Sequence, residues 1–78
     1  MGFPVINPAA TGKKINDLRV ANGFSVLDLK NYFGFATTNA IYKWLKGDSM
    51  PTVDNLLGLS ILFGVSMNDL VVYDVSRK

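Results

Sequence analysis

Residues 24–47 contain two short segments with helical periodicity, FSVLDLKNYFG and FATTNAIYKWLKG, that meet at Gly34. A glycine between two such segments predicts that one helix ends there and that a second begins after a short turn. A cap at Thr37 and a stop at Gly47 bound the second helix. Its apolar residues share one face and predict the side that packs on the core. They are Ile41, Trp44 and Leu45.

The opposite face of this second helix is polar and basic. It carries Asn39, Tyr42, Lys43 and Lys46, at positions i, i+3, i+4 and i+7. Residues at this spacing are neighbours on one helix surface. Amide, phenol and ammonium groups can bond to base edges and phosphates, so a nucleic-acid groove could accept this face. An ordinary solvated helix face is the alternative interpretation of the same pattern.

The chain has 78 residues, enough for one small domain, and it contains neither cysteine nor histidine. The usual zinc ligands and the usual general base are therefore missing. Six aspartates and five serines without such a base form no nucleophile–base pair. We expect no enzymatic activity, no metal and no cofactor.

No apolar run approaches the roughly 18 residues that span a bilayer, and the first residues lack the pattern of a signal peptide. We therefore expect a cytoplasmic protein with no membrane partner. With 78 residues forming one domain, we also expect no domain that binds a small-molecule effector.

The charged residues are unevenly distributed, although the net charge is only +2. Residues 10–47 carry six basic and two acidic side chains, whereas residues 48–76 carry four acidic side chains and no basic one. A polyanion would therefore meet the N-terminal helices, with the acidic half turned away.

The two ends of the chain are predicted to lie outside the helical domain, which spans residues 11–72. Pro4 and Pro8, in a segment without helical period, predict that residues 1–10 form an extended arm. The apolar side chains of this arm are expected to cover part of the core. They are Phe3, Val5 and Ile6. Residues 73–78 are expected to form a C-terminal tail.

Caps and glycine stops predict four helices besides the one that ends at Gly47. The first extends from about Thr11 to Asn22, the second from a Ser25 cap to Phe33, the fourth from a Thr52 cap to Phe63, and the fifth from a Ser66 cap to about Val72. The fourth helix is expected to direct Val53, Leu56, Leu57, Ser60 and Phe63 inward. Strand-like alternation is confined to Val71, Tyr73 and Val75. We therefore predict an all-α fold.

Five helices with this punctuation resemble the lambda-repressor/Cro-like family of helix-turn-helix domains, also called the xenobiotic-response-element family. The resemblance covers residues from about Thr11 to Val72, and it rests on GKKINDLR, FSVLDL, AIYKWLKG, PTVDNLLGLS and GVSMNDLV in that order. It implies a five-helix bundle in which the second helix crosses the DNA backbone and the third enters the major groove.

Carried over residue by residue, the resemblance implies two sets of DNA contacts. The base-reading positions fall on Thr38, Asn39 and Tyr42. The phosphate contacts fall on Lys43 and Lys46, and on the helix starts at Ser25 and Thr37, where main-chain N–H groups can hold an anion. Asn39 is the first choice for direct readout, because asparagine can pair with N6 and N7 of adenine.

The chain also departs from the family pattern. Val26 stands where many relatives carry a glutamine that touches DNA, and Lys30 replaces a small residue that usually packs against the third helix. The turn GFATT is one residue longer than the commonest form. Leu45 stands where relatives often have an acidic partner for the arginine of the first helix, so Arg19 needs another partner.

Together these observations predict a sequence-specific DNA-binding regulator, a small repressor or Cro-like protein, whose partner is double-stranded DNA. One domain of this size would bind weakly alone, so we expect a homodimer on a two-fold symmetric operator. The alternative is a protein-interaction module that keeps the fold without binding DNA. Tyr42, Ile61 and the tail would carry that interaction, and the low net charge, Val26 and Lys30 favour it. Separately, Ile61 and Val20 lie on faces that their helices should expose, and a self-association patch could form from these two residues with Val71, Val72, Met67 and the VVYDV tail. The alternative for the tail is that it folds onto the core of its own domain.

Overall fold

All five predicted helices form in the computed structural model, which describes residues 2–77 of the chain. The elements in chain order are β1 (Gly2–Ile6), α1 (Pro8–Ala21), α2 (Val26–Phe33), α3 (Asn39–Lys46), α4 (Val53–Phe63), α5 (Met67–Leu70) and β2 (Tyr73–Arg77). The strands pair antiparallel, with Gly2 opposite Arg77 and Ile6 opposite Tyr73. The prediction of an all-α fold is therefore right for the helices and incomplete, because it lacks this two-stranded ribbon.

The start of α1 differs from the prediction. The helix begins at Pro8 rather than at about Thr11, and Asn7 caps it by accepting the N–H of Ala10 at 3.0 Å. Proline is well suited to the first helical position, because the N–H that it lacks has no partner there and its fixed φ already matches a helix. Pro8, which is predicted to lie in an extended arm, is instead the first residue of a helix.

Residues 2–6 of the predicted arm and residues 73–77 of the predicted tail form the two strands of the ribbon. Phe3, Val5 and Ile6, which were expected to cover the core, are instead 68%, 53% and 46% exposed. The physical reason is that the two strands pair with each other along their inner edges, and neither packs extensively on a helix. Met1 and Lys78, which belong to the predicted arm and tail, lie outside the described residues.

The core lies among the five helices. Its buried apolar side chains are Ile15, Leu29, Ile41, Trp44, Leu56, Leu59, Phe63 and Leu70. The prediction for α4 was partly wrong, because Val53 and Leu57 are exposed and Leu59 is fully buried. This helix is apolar on most of its circumference, so the sequence offers two competing stripes. The buried one consists of Leu56, Leu59, Ser60 and Phe63.

The predicted caps of α2, α4 and α5 are confirmed. The hydroxyls of Ser25, Thr52 and Ser66 accept N–H groups in the first turns of these helices. Helix α5 ends at Leu70 rather than at about Val72, because Val71 has extended backbone angles that lead into β2. None of the helices in the described part of the chain has the length and apolar character needed to cross a membrane.

A buried hydroxyl joins the ribbon to the helices. Thr11 in α1 is fully buried, and its Oγ1 accepts the N–H of Val72 at 3.0 Å. The same hydroxyl donates to the carbonyl oxygen of Val72 at 3.3 Å. The residue that precedes β2 is thereby tied to the first helix, 61 residues away along the chain.

Candidate nucleic-acid interface

Helix α3 is held against the domain by its apolar side, as predicted. Ile41 and Trp44 are buried, and Leu45 is half-buried. The backbone of α1 crosses this helix at Gly12, where a Cβ atom would lie 2.2 Å from the carbonyl oxygen of Trp44 and 2.8 Å from that of Leu45. Because only glycine permits this approach, Gly12 fixes the position of α3 relative to α1.

An aromatic residue anchors the turn between α2 and α3. Gly34 ends α2 with a left-handed φ of 70°, and the N–H of Phe35 then donates to the carbonyl oxygen of Lys30 at 3.0 Å. The ring of Phe35 stacks on Phe33, with centroids 5.3 Å apart, and meets the ring of Trp44 edge-on at 5.8 Å. The longer turn is therefore packed onto both helices, which fixes the angle between them.

The C-terminal end of α2 also packs on α4. The hydroxyl of Tyr32 donates to the carbonyl oxygen of Gly58 at 3.2 Å. A Cβ atom at Gly58 would lie 2.9 Å from the ring of Phe33, so the missing side chain makes room for that aromatic ring. Gly58 lowers the helix propensity of α4 by about 1 kcal/mol relative to alanine, and this packing explains why it is there.

The outer face of α3 presents the predicted polar side chains to solvent. Asn39, Lys43 and Lys46 are exposed, and Tyr42 is 48% exposed. Within residues 2–77 the side chains of these four residues form no hydrogen bond or ion pair with the protein. Their donors and acceptors are therefore free to bind another molecule. An α-helix with its side chains is about 10–12 Å across, which fits the major groove of B-form DNA, about 12 Å wide.

The start of α3 differs by one residue from the prediction. The hydroxyl of Thr37 accepts the N–H of Asn39 at 3.3 Å, whereas Thr38 takes the N-cap position without a side-chain hydrogen bond. Thr38 is half-buried, and its carbonyl oxygen accepts the N–H of Tyr42 at 3.1 Å. In the described part of the chain, the N–H of Ala40 has no protein acceptor. This N–H group points along the helix axis, where an anion is favoured.

The start of α2 is closed by a capping box. Ser25 Oγ accepts the N–H of Asp28 at 2.9 Å, and a carboxylate oxygen of Asp28 accepts the N–H of Ser25 at 2.8 Å. The main-chain N–H of Ser25 is thus already used, and a negative charge lies beside it. Of the phosphate contacts predicted from the sequence, Ser25 and Thr37 have internal partners, whereas Lys43 and Lys46 have none among residues 2–77.

Arg19 bonds to other groups in place of an acidic residue at position 45, which is Leu45 in this chain. Its guanidinium donates to Asn16 Oδ1 at 2.8 and 3.1 Å, and to the carbonyl oxygen of Phe24 at 2.8 Å. These bonds fix the connection between α1 and α2. Arg19 therefore stabilises the connection between α1 and α2, and no carboxylate within residues 2–77 forms an ion pair with it.

The acidic side chains of the second half lie on the elements that follow α3. Asp54 and Asp69 are in the first turns of α4 and α5, and Asp74 is in β2. Asp48 is the nearest in sequence to α3, since its N–H bonds to the carbonyl oxygen of Lys43 at 2.9 Å. On the basic half, Lys13 pairs with Asp17 at 3.0 Å. Helix α3 itself carries only positive charge.

Sequence reasoning identified the exposed residues of this site and missed two that position it. Gly12 and Phe35 touch the same helix from two sides. An aromatic residue in an otherwise polar turn was the available indication for Phe35. Gly12 is visible in the sequence only as a glycine inside a helical segment. That pattern does not indicate which helix packs against this glycine.

Comparison with known proteins agrees with this geometry. A family model described as "Helix-turn-helix" matches residues 15–70. The chain is similar in fold to the restriction-modification controller protein C.AhdI from Aeromonas hydrophila, with a TM-score of 0.70, 21% identity, and coverage of 80% of this chain and 92% of that one.

It is also similar to the DNA-binding domain of BldD, with a TM-score of 0.69, 21% identity, and coverage of 83% of this chain and 93% of that one. The S. venezulae BldD DNA-binding domain gives a TM-score of 0.69 and 21% identity, over 83% of this chain and 96% of that one. No curated protein matches the chain in sequence.

Proposed function

This chain belongs to the lambda-repressor/Cro-like helix-turn-helix family, and we propose that it is a sequence-specific DNA-binding transcription regulator, a small repressor or Cro-like protein. It inserts α3 into the major groove while α2 lies across the DNA backbone. The observation that carries the proposal is the division of α3 into a side held by Ile41 and Trp44 and an exposed side with unpaired polar and cationic groups.

In this proposal three residues at the start of α3 read the bases. The Asn39 amide pairs with N6 and N7 of an adenine, which gives about 1–3 kcal/mol of discrimination against a wrong base. Thr38 and the ring of Tyr42 lie beside it and contact a thymine methyl group or a neighbouring base edge. The exposure of Asn39 and Tyr42 supports these roles.

The phosphate contacts come from both helices. Lys43 and Lys46 neutralise phosphates that flank the site that is read. The free N–H of Ala40 and the hydroxyls of Thr37 and Ser25 bind phosphate oxygens as donors, since each hydroxyl uses only its oxygen within the protein. Asp28 opposes an anion at Ser25, so we expect this contact to be the weakest of the set.

The structural neighbours support a regulatory and non-enzymatic role. One is a restriction-modification controller protein and the others are DNA-binding domains, as their names state. A DNA-binding regulator must share a compartment with the DNA that it binds. The proposal therefore includes the cytoplasmic location expected from the sequence.

We further propose that the chain acts as a homodimer. A single α3 reaches only a few base pairs, and two copies related by a two-fold axis would read half-sites about one helical turn apart. The operator is then a palindrome, or nearly so.

Fluorescence anisotropy on random-sequence and selected duplexes tests this function. We expect selection from random duplexes to return a palindrome, and affinity to fall steeply with salt because lysine–phosphate contacts release counterions. A chain that binds no duplex at low salt, or whose binding is insensitive to salt, contradicts the proposal.

A second candidate function is a protein-interaction module without DNA binding. The observation that favours it is a stripe of exposed apolar side chains on α4, at Val53, Leu57 and Ile61, which are 73%, 47% and 68% exposed. Two results together would favour this alternative. The chain would bind a protein partner in a complex that resists nuclease treatment and that Ile61→Lys abolishes, and it would bind no DNA duplex.

A further inference from the structure

The hydrogen-bond pattern of the ribbon shows which backbone groups face outward. The N–H of Asn7 donates to the carbonyl oxygen of Val72 at 2.8 Å, and the register continues to Ile6 opposite Tyr73 and Pro4 opposite Val75. Paired residues in an antiparallel ladder alternate between hydrogen-bonded and non-hydrogen-bonded positions. The pairs formed by Ile6 and by Pro4 are therefore non-hydrogen-bonded, so their N–H and C=O groups point away from the partner strand.

The two outer edges of the ribbon are consequently different. On β1 the outward groups belong to Pro4 and Ile6, and Pro4 has no N–H to donate, so this edge offers an incomplete set of donors. A proline at such a place protects a strand edge from further pairing. On β2 the outward groups of Tyr73 and Val75 are complete, with both donor and acceptor. No third strand pairs with β2 within residues 2–77. The edge of β2 is therefore open to another strand.

The faces of the ribbon are also incompletely covered. Pro4, Ile6, Tyr73 and Val75 lie on one face, because directly opposite residues in an antiparallel pair point the same way. Ile6, Tyr73 and Val75 are 46%, 45% and 60% exposed. Between the ribbon and the helices lies an apolar groove of about 440 Å³, to which Leu56, Met67 and Val71 contribute from the helix side. An isolated two-stranded ribbon is marginally stable, and a third strand stabilises it.

We propose that β2 pairs antiparallel with β2 of a second copy of this chain, about a two-fold axis at Val75. This register opposes Val75 to Val75 and Asp74 to Ser76, and it uses the whole length of the strand. A two-fold axis at Asp74 would instead place two carboxylates directly opposite each other, which is destabilising. The sequence of the strand is therefore complementary to itself in one register and repulsive in the neighbouring one.

The resulting assembly closes at two copies. Joining two ribbons through β2 gives a four-stranded antiparallel sheet whose outer edges are both β1, and each outer edge carries Pro4. Because neither edge can accept a further strand in full, the sheet ends at a dimer and does not grow into a fibre. The Val75 side chains of the two copies become neighbours and join the two apolar faces.

This inference deepens the homodimer of the proposed function, and its test uses the full chain without DNA, so that a failure here is distinct from a failure to bind DNA. Sedimentation equilibrium over about 1 μM to 1 mM should show a monomer–dimer equilibrium. Val75→Pro removes one outward N–H and no bond to β1, so the dimer should weaken by about tenfold or more. Val75→Thr is the matched control, which keeps the N–H and the branched side chain and should stay dimeric.

Pro4→Val makes an opposite prediction. It restores a donor on the outer edge of β1, so species larger than a dimer should appear. A wild-type chain that stays monomeric across the concentration series overturns the proposal, and so does a dimer that Val75→Pro leaves unchanged.

Amide hydrogen exchange on the wild-type chain gives a readout that needs no variant. The N–H groups of Tyr73 and Val75 should exchange more slowly as the protein concentration rises, whereas the N–H of Asp74 points to β1 and should change less. Equal exchange of the Val75 N–H at low and high concentration, in a sample that sediments as a dimer, places the interface elsewhere and overturns the proposal.

Discussion

Gly12 of α1 and Trp44 of α3 are in direct backbone contact, since a Cβ atom on Gly12 would lie 2.2 Å from the carbonyl oxygen of Trp44. The side of α3 opposite to this contact is the one that carries Asn39 and Lys43. The first helix therefore sets how far the candidate reading face stands out from the domain.

Gly12→Ala should destabilise the fold, although alanine has the higher helix propensity by about 1 kcal/mol. The added methyl group must displace a backbone oxygen that belongs to another helix, and overpacking of this kind costs about 1–3 kcal/mol. Urea denaturation followed by circular dichroism measures the change. A variant as stable as the wild type would show that α1 and α3 are not held this closely.

Gly58→Ala is the matched control for this prediction. Its Cβ would meet the edge of the Phe33 ring at 2.9 Å rather than a backbone atom. A ring can turn away, and the gain in helix propensity of about 1 kcal/mol offsets part of the contact. We expect a stability within about 1 kcal/mol of the wild type, and a smaller loss than for Gly12→Ala.

Asn39→Ala and Lys43→Ala should differ in kind. Loss of the Asn39 amide should relax preference at one base position, by about 1–3 kcal/mol. Loss of the Lys43 ammonium should weaken all duplexes alike and lower the salt dependence by about one phosphate contact. Anisotropy titrations on a set of single-base operator variants, at two salt concentrations, separate these outcomes. If both substitutions weaken every duplex equally, the assignment of Asn39 to base reading is wrong.

Ser25→Ala tests whether the capping residue of α2 also touches DNA. Loss of the bond from the Asp28 N–H to Ser25 Oγ should lower stability by about 1 kcal/mol. Ser49→Ala is the control, because this exposed serine lies in a loop and its substitution should change stability by less than about 0.5 kcal/mol. A phosphate contact predicts that Ser25→Ala also lowers DNA affinity at a temperature where the variant is folded. Unchanged affinity would leave Ser25 with its capping role alone.

Thr11→Val removes the hydroxyl that bonds to both backbone groups of Val72. Valine has nearly the same shape, so the change isolates the hydrogen bonds. The carbonyl oxygen of Val72 keeps the N–H of Asn7, but the part-buried N–H of Val72 loses its acceptor, which should cost about 1 kcal/mol or more. Thr11→Ser keeps the hydroxyl and should recover most of this loss. Thermal unfolding of the three proteins provides the measurement, and equal stabilities of the valine variant and the wild type would refute the role.

Local signals explain what could be predicted from the sequence. The caps at Ser25, Thr52 and Ser66 and the helix ends at Gly34 and Gly47 depend on residues within one turn of each other, and the structure confirms them. The exposed face of α3 follows from helical spacing alone, once Ile41 and Trp44 are assigned to the core.

The errors arose where the outcome depends on residues that are distant in the chain. The ribbon pairs the two ends of the described sequence, and a single strand with weak alternation, such as residues 73–77, gives no indication of its partner. The sequence did not predict which face of α4 is buried, because two stripes along this helix are apolar. The prediction for Pro8 was wrong because proline has opposite effects at two positions. It breaks a helix when it lies in the interior, and it favours a helix when it is the first residue.

The hydroxyl of Thr11 has a consequence for any symmetric pair built through β2. Tilting the ribbon relative to the helices would break a bond inside the domain, so the two α3 helices of such a pair keep a set separation and phase along the duplex. The length of operator that the pair binds best would then depend on Thr11, a side chain that contacts neither the DNA nor the second copy.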